Sequence, residues 1–160
     1  MESKFSGIVK RMKCFKYGMF YLRNTQFVIP KLLKINGKKK QLKFLDVADG
    51  SFVSEFTQIC LYDCYHLADL KKKLPKIETI IDVGANQGLF LIAARQLFPS
   101  ARIIGYEPNK NLETTLSHNA RQLNATIYFE AVMKEDCMVK LNFTESDLAT
   151  SATESNDGTV

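Results

Sequence analysis

The sequence has no long apolar run, no CxxC pair and only two histidines among its 160 residues. The longest apolar stretch near its start, residues 17–22, is far shorter than the ~18–20 residues that a membrane-spanning helix needs. The four cysteines form no regular framework and no signal peptide precedes them, so we expect free thiols and a cytoplasmic location. Cys60, Cys64 and His66 lie close together, but no second ligand pair follows at zinc-finger spacing, and we predict no metal site.

Charge is distributed unevenly along a chain of otherwise globular composition, with 46% hydrophobic and 24% charged residues. Residues 1–43 contain 12 Lys/Arg and one acid, whereas residues 44–160 contain 10 Lys/Arg and 16 acids. The simplest interpretation of this basic arm on an acidic body is a solvated face with lysine-rich turns. The alternative is contact with an anionic surface, as peripheral contact of the basic N-terminus with an anionic membrane. No nucleic-acid recognition module is visible, so we expect no nucleic-acid partner.

The first 50 residues predict a basic helix followed by a β-hairpin. Apolar positions 5, 8, 9, 12 and 15 share one helical face, which would pack across a sheet edge or lie on an acidic membrane. Residues 30–47 predict a hairpin that turns at Asn36-Gly37. Residues 51–69 are less regular, and we predict a short strand followed by a helical turn.

From residue 78 onward, apolar strands alternate with helices. We predict strands at 78–83, 102–106 and 126–132, a helix at 89–98, and a second helix through Leu123 capped by Asn109 or Asn111. This β-α-β-α-β order indicates an α/β fold with a parallel, Rossmann-like sheet. A further strand is expected at 138–143, followed by a disordered tail at 146–160. The predicted domains are therefore 1–50, 51–145 and the tail.

The chemistry is concentrated in the loop between the first strand and its helix. Asp82 ends that strand, Gly84 allows a sharp turn, and Gly88 opens the helix and lets it pack closely. Glu107 ends the second strand, 19 residues after Gly88, where a carboxylate can accept hydrogen bonds from both hydroxyls of a ribose. Such loops bind ligands at the carboxyl ends of the strands.

The glycine pattern decides between classes of nucleoside. A dinucleotide fingerprint requires GxGxxG, but this chain offers Gly84, Asn86 and Leu89 at the three positions. Asp82 before the glycine loop suits a cationic amino-acid group better than a phosphate. Two acids at this spacing fit S-adenosylmethionine, which carries an ammonium, a sulfonium and a free ribose.

Residues 81–90 (IDVGANQGLF), followed by Tyr106-Glu107-Pro108-Asn109, resemble the FkbM family of S-adenosylmethionine-dependent methyltransferases. The resemblance covers about residues 50–145 and includes Tyr65 and residues 130–132. It implies a class I, Rossmann-like fold and O-methylation of a sugar or small-metabolite hydroxyl. It also implies cofactor-binding residues: Asp82, Gly84, Ala85, Asn86 and Gly88 on the methionine side, Glu107 at the ribose, Pro108 and Asn109 on the adenine side, and, more weakly, Glu130 and Ala131.

Several alternatives stay open at this point. Asn109 could be a helix cap, and Tyr65 is expected to pack against the sheet rather than face the cofactor. Neither His66 nor His118 has a visible partner that would make it a catalytic base, so we name none. The class I sheet has more strands than this chain supplies, so the chain could be a cofactor-binding fragment without activity. In another alternative, a basic docking module sits on a Rossmann-like scaffold.

Overall fold

Three parallel strands form the centre of the fold. A computed structural model of the chain describes residues 4–19, 29–45, 50–135, 139–143 and 150–154. The elements in chain order are α1 (Lys4–Lys16), β1 (Leu32–Ile35), β2 (Lys38–Gln41), α2 (Gly50–Phe56), a π-helical turn (Thr57–Leu61), α3 (Leu67–Lys73), β3 (Thr79–Val83), α4 (Leu89–Leu97), β4 (Arg102–Tyr106), a 3₁₀ turn (Lys110–Leu112), α5 (Glu113–Leu123), β5 (Ala125–Tyr128), β6 (Val139–Phe143) and β7 (Thr150–Glu154).

The parallel sheet has the order β3-β4-β5, which confirms the predicted β-α-β-α-β arrangement and is compatible with a Rossmann-like fold. Its register places Asp82 of β3 beside Gly105 of β4, and Tyr106 of β4 beside Tyr128 of β5. Strands β3 and β4 therefore end together, and the loops that follow them leave from the same edge of the sheet.

Strand β5 ends four residues before its predicted end, at Tyr128. Its neighbour β4 ends at Tyr106, and the next backbone N–H, that of Glu107, donates to the Tyr128 carbonyl at 3.0 Å. Beyond that bond the neighbouring chain turns away, so β5 has nothing to pair with on that side. The strand predicted from this β-branched and aromatic run is confirmed, but its length depends on its neighbour.

The predicted hairpin is confirmed and packs against the helices. Strands β1 and β2 are antiparallel, with Asn36 at φ 49° and Gly37 at φ 77° in the turn. The Asn36 N–H donates to Gln96 Oε1 at 2.7 Å, and His118 Nε2 lies 2.9 Å from the Gln41 carbonyl. His118 thus joins α5 to the hairpin, a partner that the sequence did not reveal.

Residues 51–61 are helical throughout, and α3 begins at Leu67, so the short strand that we predicted in this segment was wrong and only the helical turn after it is confirmed. Phe52, Phe56 and Cys60 are all buried and follow one another at intervals of four residues. This spacing places them on one side of α2 and the π-helical turn, facing the core. The intervening residues are partly exposed, which is the burial pattern of a surface helix.

Part of the tail also departs from expectation. Residues 150–154, predicted to be disordered, form β7, which pairs antiparallel with β6 from Phe143↔Thr150 to Val139↔Glu154. The composition of the tail suggested that it could bury little apolar surface, but a hairpin needs only backbone pairing with an adjacent strand. Residues 144–149 and 155–160 lie outside the described residues. The domain boundaries near residues 50 and 145 stay predictions.

A buried arginine joins the segments that precede β4 and β5. Arg95, on α4, is 8% exposed. Its guanidinium donates to five carbonyl oxygens: those of Phe98, Pro99, Ala101, Leu123 and Asn124. Burial lowers the pKa of Arg95. These carbonyls lie in the segment between α4 and β4 and at the junction between α5 and β5. One side chain therefore holds together the two segments that enter the sheet at its amino-terminal edge.

One face of β3 is uncovered within the described part of the chain. Ile81 and Val83 are 60% and 63% exposed, whereas Ile80, on the other face, packs against the core. Parallel sheets are usually covered on both faces. Among the described helices, none is long and apolar enough to cross a membrane.

Candidate functional site

The loop after β3 turns back over the sheet through a glycine. Gly84 has φ +86°, and a Cβ added there would meet no atom within 4 Å. The N–H groups of Gly84 and Ala85 both donate to the Tyr106 carbonyl, each at 2.9 Å. The loop is thus tied to the end of β4 while its outer side faces open space. The positive φ explains the glycine, and the open space leaves room for a ligand.

Glu107 holds this loop and the next one together. The buried carboxylate accepts the Asn86 N–H on Oε2 at 2.8 Å and the Asn109 N–H on Oε1 at 2.9 Å. Each carboxylate oxygen has a second lone pair, so both can still accept a hydroxyl. Glu107 therefore has a structural role that the sequence did not predict, and it keeps the acceptor capacity that a ribose contact requires.

Asp82 and Asn86 each carry a buried side-chain oxygen without a hydrogen-bond partner among the described residues. These atoms are Asp82 Oδ2 and Asn86 Oδ1. Burial, and secondarily the charge of Glu107, raises the pKa of Asp82 from 3.8 to about 6. An unpaired buried carboxylate is costly, so such groups usually meet a partner. Two orphaned acceptors on one loop favour a ligand that donates hydrogen bonds or carries positive charge.

Close packing behind the loop depends on two further glycines. Gly88 has φ +89°, and a Cβ there would lie 3.4 Å from Leu91 Cδ1 and 3.5 Å from Leu116 Cδ1, so α4 packs closely on α5. A Cβ on Gly105 would come within 2.7 Å of Ile127 Cδ1 and 3.1 Å of Ala85 Cβ. Gly105 is not among the predicted site residues, although a glycine inside a strand often marks such a close approach.

The predicted adenine-side residues are arranged around the loop after β4. Asn109 is fully buried, and its side chain accepts the Asn111 N–H at 3.0 Å. It therefore caps the 3₁₀ turn, which confirms the alternative prediction that Asn109 is a helix cap. Pro108 is half-buried between Glu107 and Asn109. Glu130 and Ala131 follow β5 at the same edge of the sheet. Their contact with an adenine, like the whole set of cofactor-binding residues, stays a prediction.

A cleft opens beside the loop, and most of the residues that line it outside the loop are not among the predicted site residues. Besides the loop itself, its lining includes Phe52, Glu55, Ile59, Tyr65 and Phe90. Tyr65 does not pack against the sheet as expected: it is 57% exposed and meets the Phe90 ring edge-on at 5.1 Å. Three of these lining residues, Phe52, Glu55 and Ile59, lie in the helical segment of residues 50–61 at intervals of three and four. Reading that segment as helical would have placed them on one side of it.

The titratable groups at this cleft are acids and a phenol. Burial raises the pKa of Glu55, and burial together with the charges of Cys64, Asp82 and Glu55 raises the pKa of Tyr65. Neither histidine lines the cleft. In the described residues no group of three or more His, Cys, Asp and Glu side chains is arranged to hold a metal. The site can therefore attract a cation and accept hydrogen bonds from hydroxyl groups.

Comparison with known proteins supports one class of enzyme. The chain is 34% identical over 64 residues to "Methyltransferase sdnD" of Sordaria araneosa, a match that covers 40% of this chain and 23% of that protein. The chain thus aligns with less than a quarter of its relative's length. No protein-family model matches the chain. The distant similarity supports a methyltransferase.

Proposed function

We propose that the chain is an S-adenosylmethionine-dependent methyltransferase of the FkbM type that methylates a hydroxyl of a sugar or small metabolite. The observation that carries this proposal is the buried Oδ2 of Asp82, which has no hydrogen-bond partner among the described residues and lies beside an open glycine turn at the carboxyl edge of a parallel sheet. A cationic ligand would relieve its cost, and the S-adenosylmethionine ammonium is such a group. The distant methyltransferase relative supports the same class.

The residues present fit this cofactor. Asp82 and Asn86 would hold the amino-acid end, since both have an acceptor oxygen to spare. Gly84 leaves the space above the loop open, and the remaining lone pairs of Glu107 would accept the two ribose hydroxyls. When bound, the cofactor would supply an activated methyl group. The chain's own contribution is then to hold the reactants close and aligned.

Nucleotides with a pyrophosphate fit less well. Their phosphates would meet the Asp82 carboxylate, which already suffers repulsion from Glu107. The middle residue between Gly84 and Gly88 is Asn86, and a pyrophosphate that approached the loop closely would have to avoid its side chain. We therefore expect no binding of nicotinamide or flavin dinucleotides.

Calorimetry with two ligands tests the assignment of each loop residue. S-adenosylhomocysteine carries the amino-acid group, whereas 5′-methylthioadenosine lacks it. Asp82→Asn should weaken S-adenosylhomocysteine about tenfold to a hundredfold, because it removes a charged hydrogen bond, and should leave methylthioadenosine unchanged. The control Asp69→Asn, at an exposed carboxylate paired with Lys72, should change neither affinity.

Equal losses for both ligands in Asp82→Asn would show that Asp82 does not contact the amino-acid group. Absence of S-adenosylhomocysteine binding to the parent protein would refute the proposal as a whole. Binding without methyl transfer to any hydroxylated acceptor would instead favour the alternative of a cofactor-binding chain without activity, which the partial match to the relative also allows.

A further inference from the structure

The carboxyl-terminal end of helix α1 packs against the rest of the protein through one side. Cys14 is completely buried, and Tyr17, just after the helix, is 5% exposed and packs edge-on against Phe56 with ring centroids 5.8 Å apart. The Lys34 N–H donates to the Tyr17 carbonyl at 2.9 Å, which joins the end of the helix to the hairpin. The last turn of α1 is therefore packed against the core and joined to the hairpin.

The opposite side of α1 is apolar and exposed. Ile8, Met12 and Phe15 are 57%, 64% and 72% exposed. At 100° per residue, positions 8, 12 and 15 fall within a narrow stripe, whereas positions 14 and 17 fall on the far side of the helix. Three large apolar side chains in one stripe are not scattered surface residues. They form a continuous apolar ridge, which we call the α1 ridge (Ile8, Met12 and Phe15).

Basic side chains flank the α1 ridge, and others are exposed on the hairpin that contacts the end of α1. Arg11 and Lys16 are exposed on its two flanks, and Lys31, Lys34, Lys38 and Lys39 are exposed on the attached hairpin. The sequence contains no acidic residue from position 3 to position 45. A protein groove that covered the ridge would need many acidic side chains to match this positive charge, whereas an anionic lipid surface carries negative charge over its whole area.

We infer that the α1 ridge docks on an anionic lipid surface, with α1 lying in the plane of the head groups. The apolar side chains enter the boundary between head groups and acyl chains, and the flanking basic side chains stay at the level of the phosphates. Because α1 packs through Cys14 and Tyr17, the ridge is already exposed in the folded protein, so docking needs no unfolding. This inference does not depend on which ligand occupies the cleft.

Vesicle co-sedimentation of the full chain tests the inference. The protein should bind vesicles of phosphatidylcholine with phosphatidylserine, and bind much more weakly to phosphatidylcholine alone or at high salt. Phe15→Ser should lower the partition coefficient about tenfold by removing apolar contact. The matched control is Leu74→Ser, at a side chain that is 53% exposed after α3 and should leave binding unchanged.

Charge is tested in the same way with Lys16→Glu, which should weaken binding about tenfold or more. Its control is Lys76→Glu, at an exposed position on the acidic part of the chain. The midpoint of urea unfolding should be the same in all four variants, since each replaces an exposed side chain. Failure to bind anionic vesicles at low salt, or equal losses in the variants and their controls, would overturn the inference. So would dimerisation that Phe15→Ser abolishes in the absence of vesicle binding.

Discussion

Replacing Asp82 with asparagine should make the protein more stable at pH 8, although it removes a residue of the candidate site. In the folded chain the pKa of Asp82 is raised from 3.8 to about 6, by burial first and by Glu107 second. Ionisation of this side chain therefore opposes folding. The cost is absent below about pH 4, grows between the two pKa values, and is complete above about pH 6.

The magnitude follows from the difference between the two pKa values. A shift of one unit corresponds to about 1.4 kcal/mol, so a rise from 3.8 to about 6 corresponds to about 3 kcal/mol of destabilisation at pH 8. Asparagine carries no charge at any pH and keeps the shape of the side chain. We expect Asp82→Asn to raise the free energy of unfolding by about 2–3 kcal/mol at pH 8, with little difference from the parent at pH 4.

Urea unfolding of the parent and Asp82→Asn across this pH range provides the assay. The difference in unfolding free energy between the two proteins should rise with pH and level off above about pH 6. The control Asp69→Asn removes an exposed acid whose pKa is lowered by its hydrogen bond to Lys72, so it should bring no gain in stability at pH 8. If Asp82→Asn were no more stable than the parent at pH 8, ionisation of Asp82 would not destabilise the fold, and the reasoning that a cationic ligand relieves that cost would be refuted.

Two further predictions separate stability from binding. Arg95→Met should lower the free energy of unfolding by about 3–5 kcal/mol, because five carbonyls lose a charged donor. The control Arg121→Met, at an exposed position of α5, should change the free energy of unfolding little. An equally small effect of Arg95→Met would contradict the hydrogen bonds of the Arg95 guanidinium. Gly84→Ala and Gly37→Ala should each lower the free energy of urea unfolding by about 1–2 kcal/mol, because alanine is strained at the positive φ of either position. The space around both positions is open, so neither alanine clashes with a neighbour. Calorimetry should detect weaker S-adenosylhomocysteine binding in Gly84→Ala alone.

The sequence predicted the elements from residue 78 to residue 123 well, because their signals are local. Apolar, β-branched runs form β3 and β4, glycines mark the turn into α4, and Pro99 follows its end. The same local signals predicted the hairpin turn at Asn36-Gly37. Strand ends were less accurate, since the end of β5 depends on where β4 stops rather than on its own residues.

The polar contacts that join distant parts of the chain could not be predicted in this way. Asn119 is completely buried, and its side chain bonds both the N–H and the carbonyl of Lys43, while the Gln87 side chain accepts the Leu45 N–H at 2.6 Å. In a sequence, such amides are typical of a surface. Asn119 and Gln87 gain their hydrogen-bond partners only because the segment after β2 passes beside them, and no periodic sequence pattern predicts that contact.

The two ends of the parallel sheet differ in how they tolerate change. At the amino-terminal edge, Arg95 binds the connections into β4 and β5, so substitutions there should disturb the whole fold. At the carboxyl edge, the loops after β3 and β4 hold spare acceptor atoms that the described fold leaves unused. Selection can therefore alter those loops residue by residue while the scaffold persists. A change of ligand preference is accessible to this chain without a change of architecture.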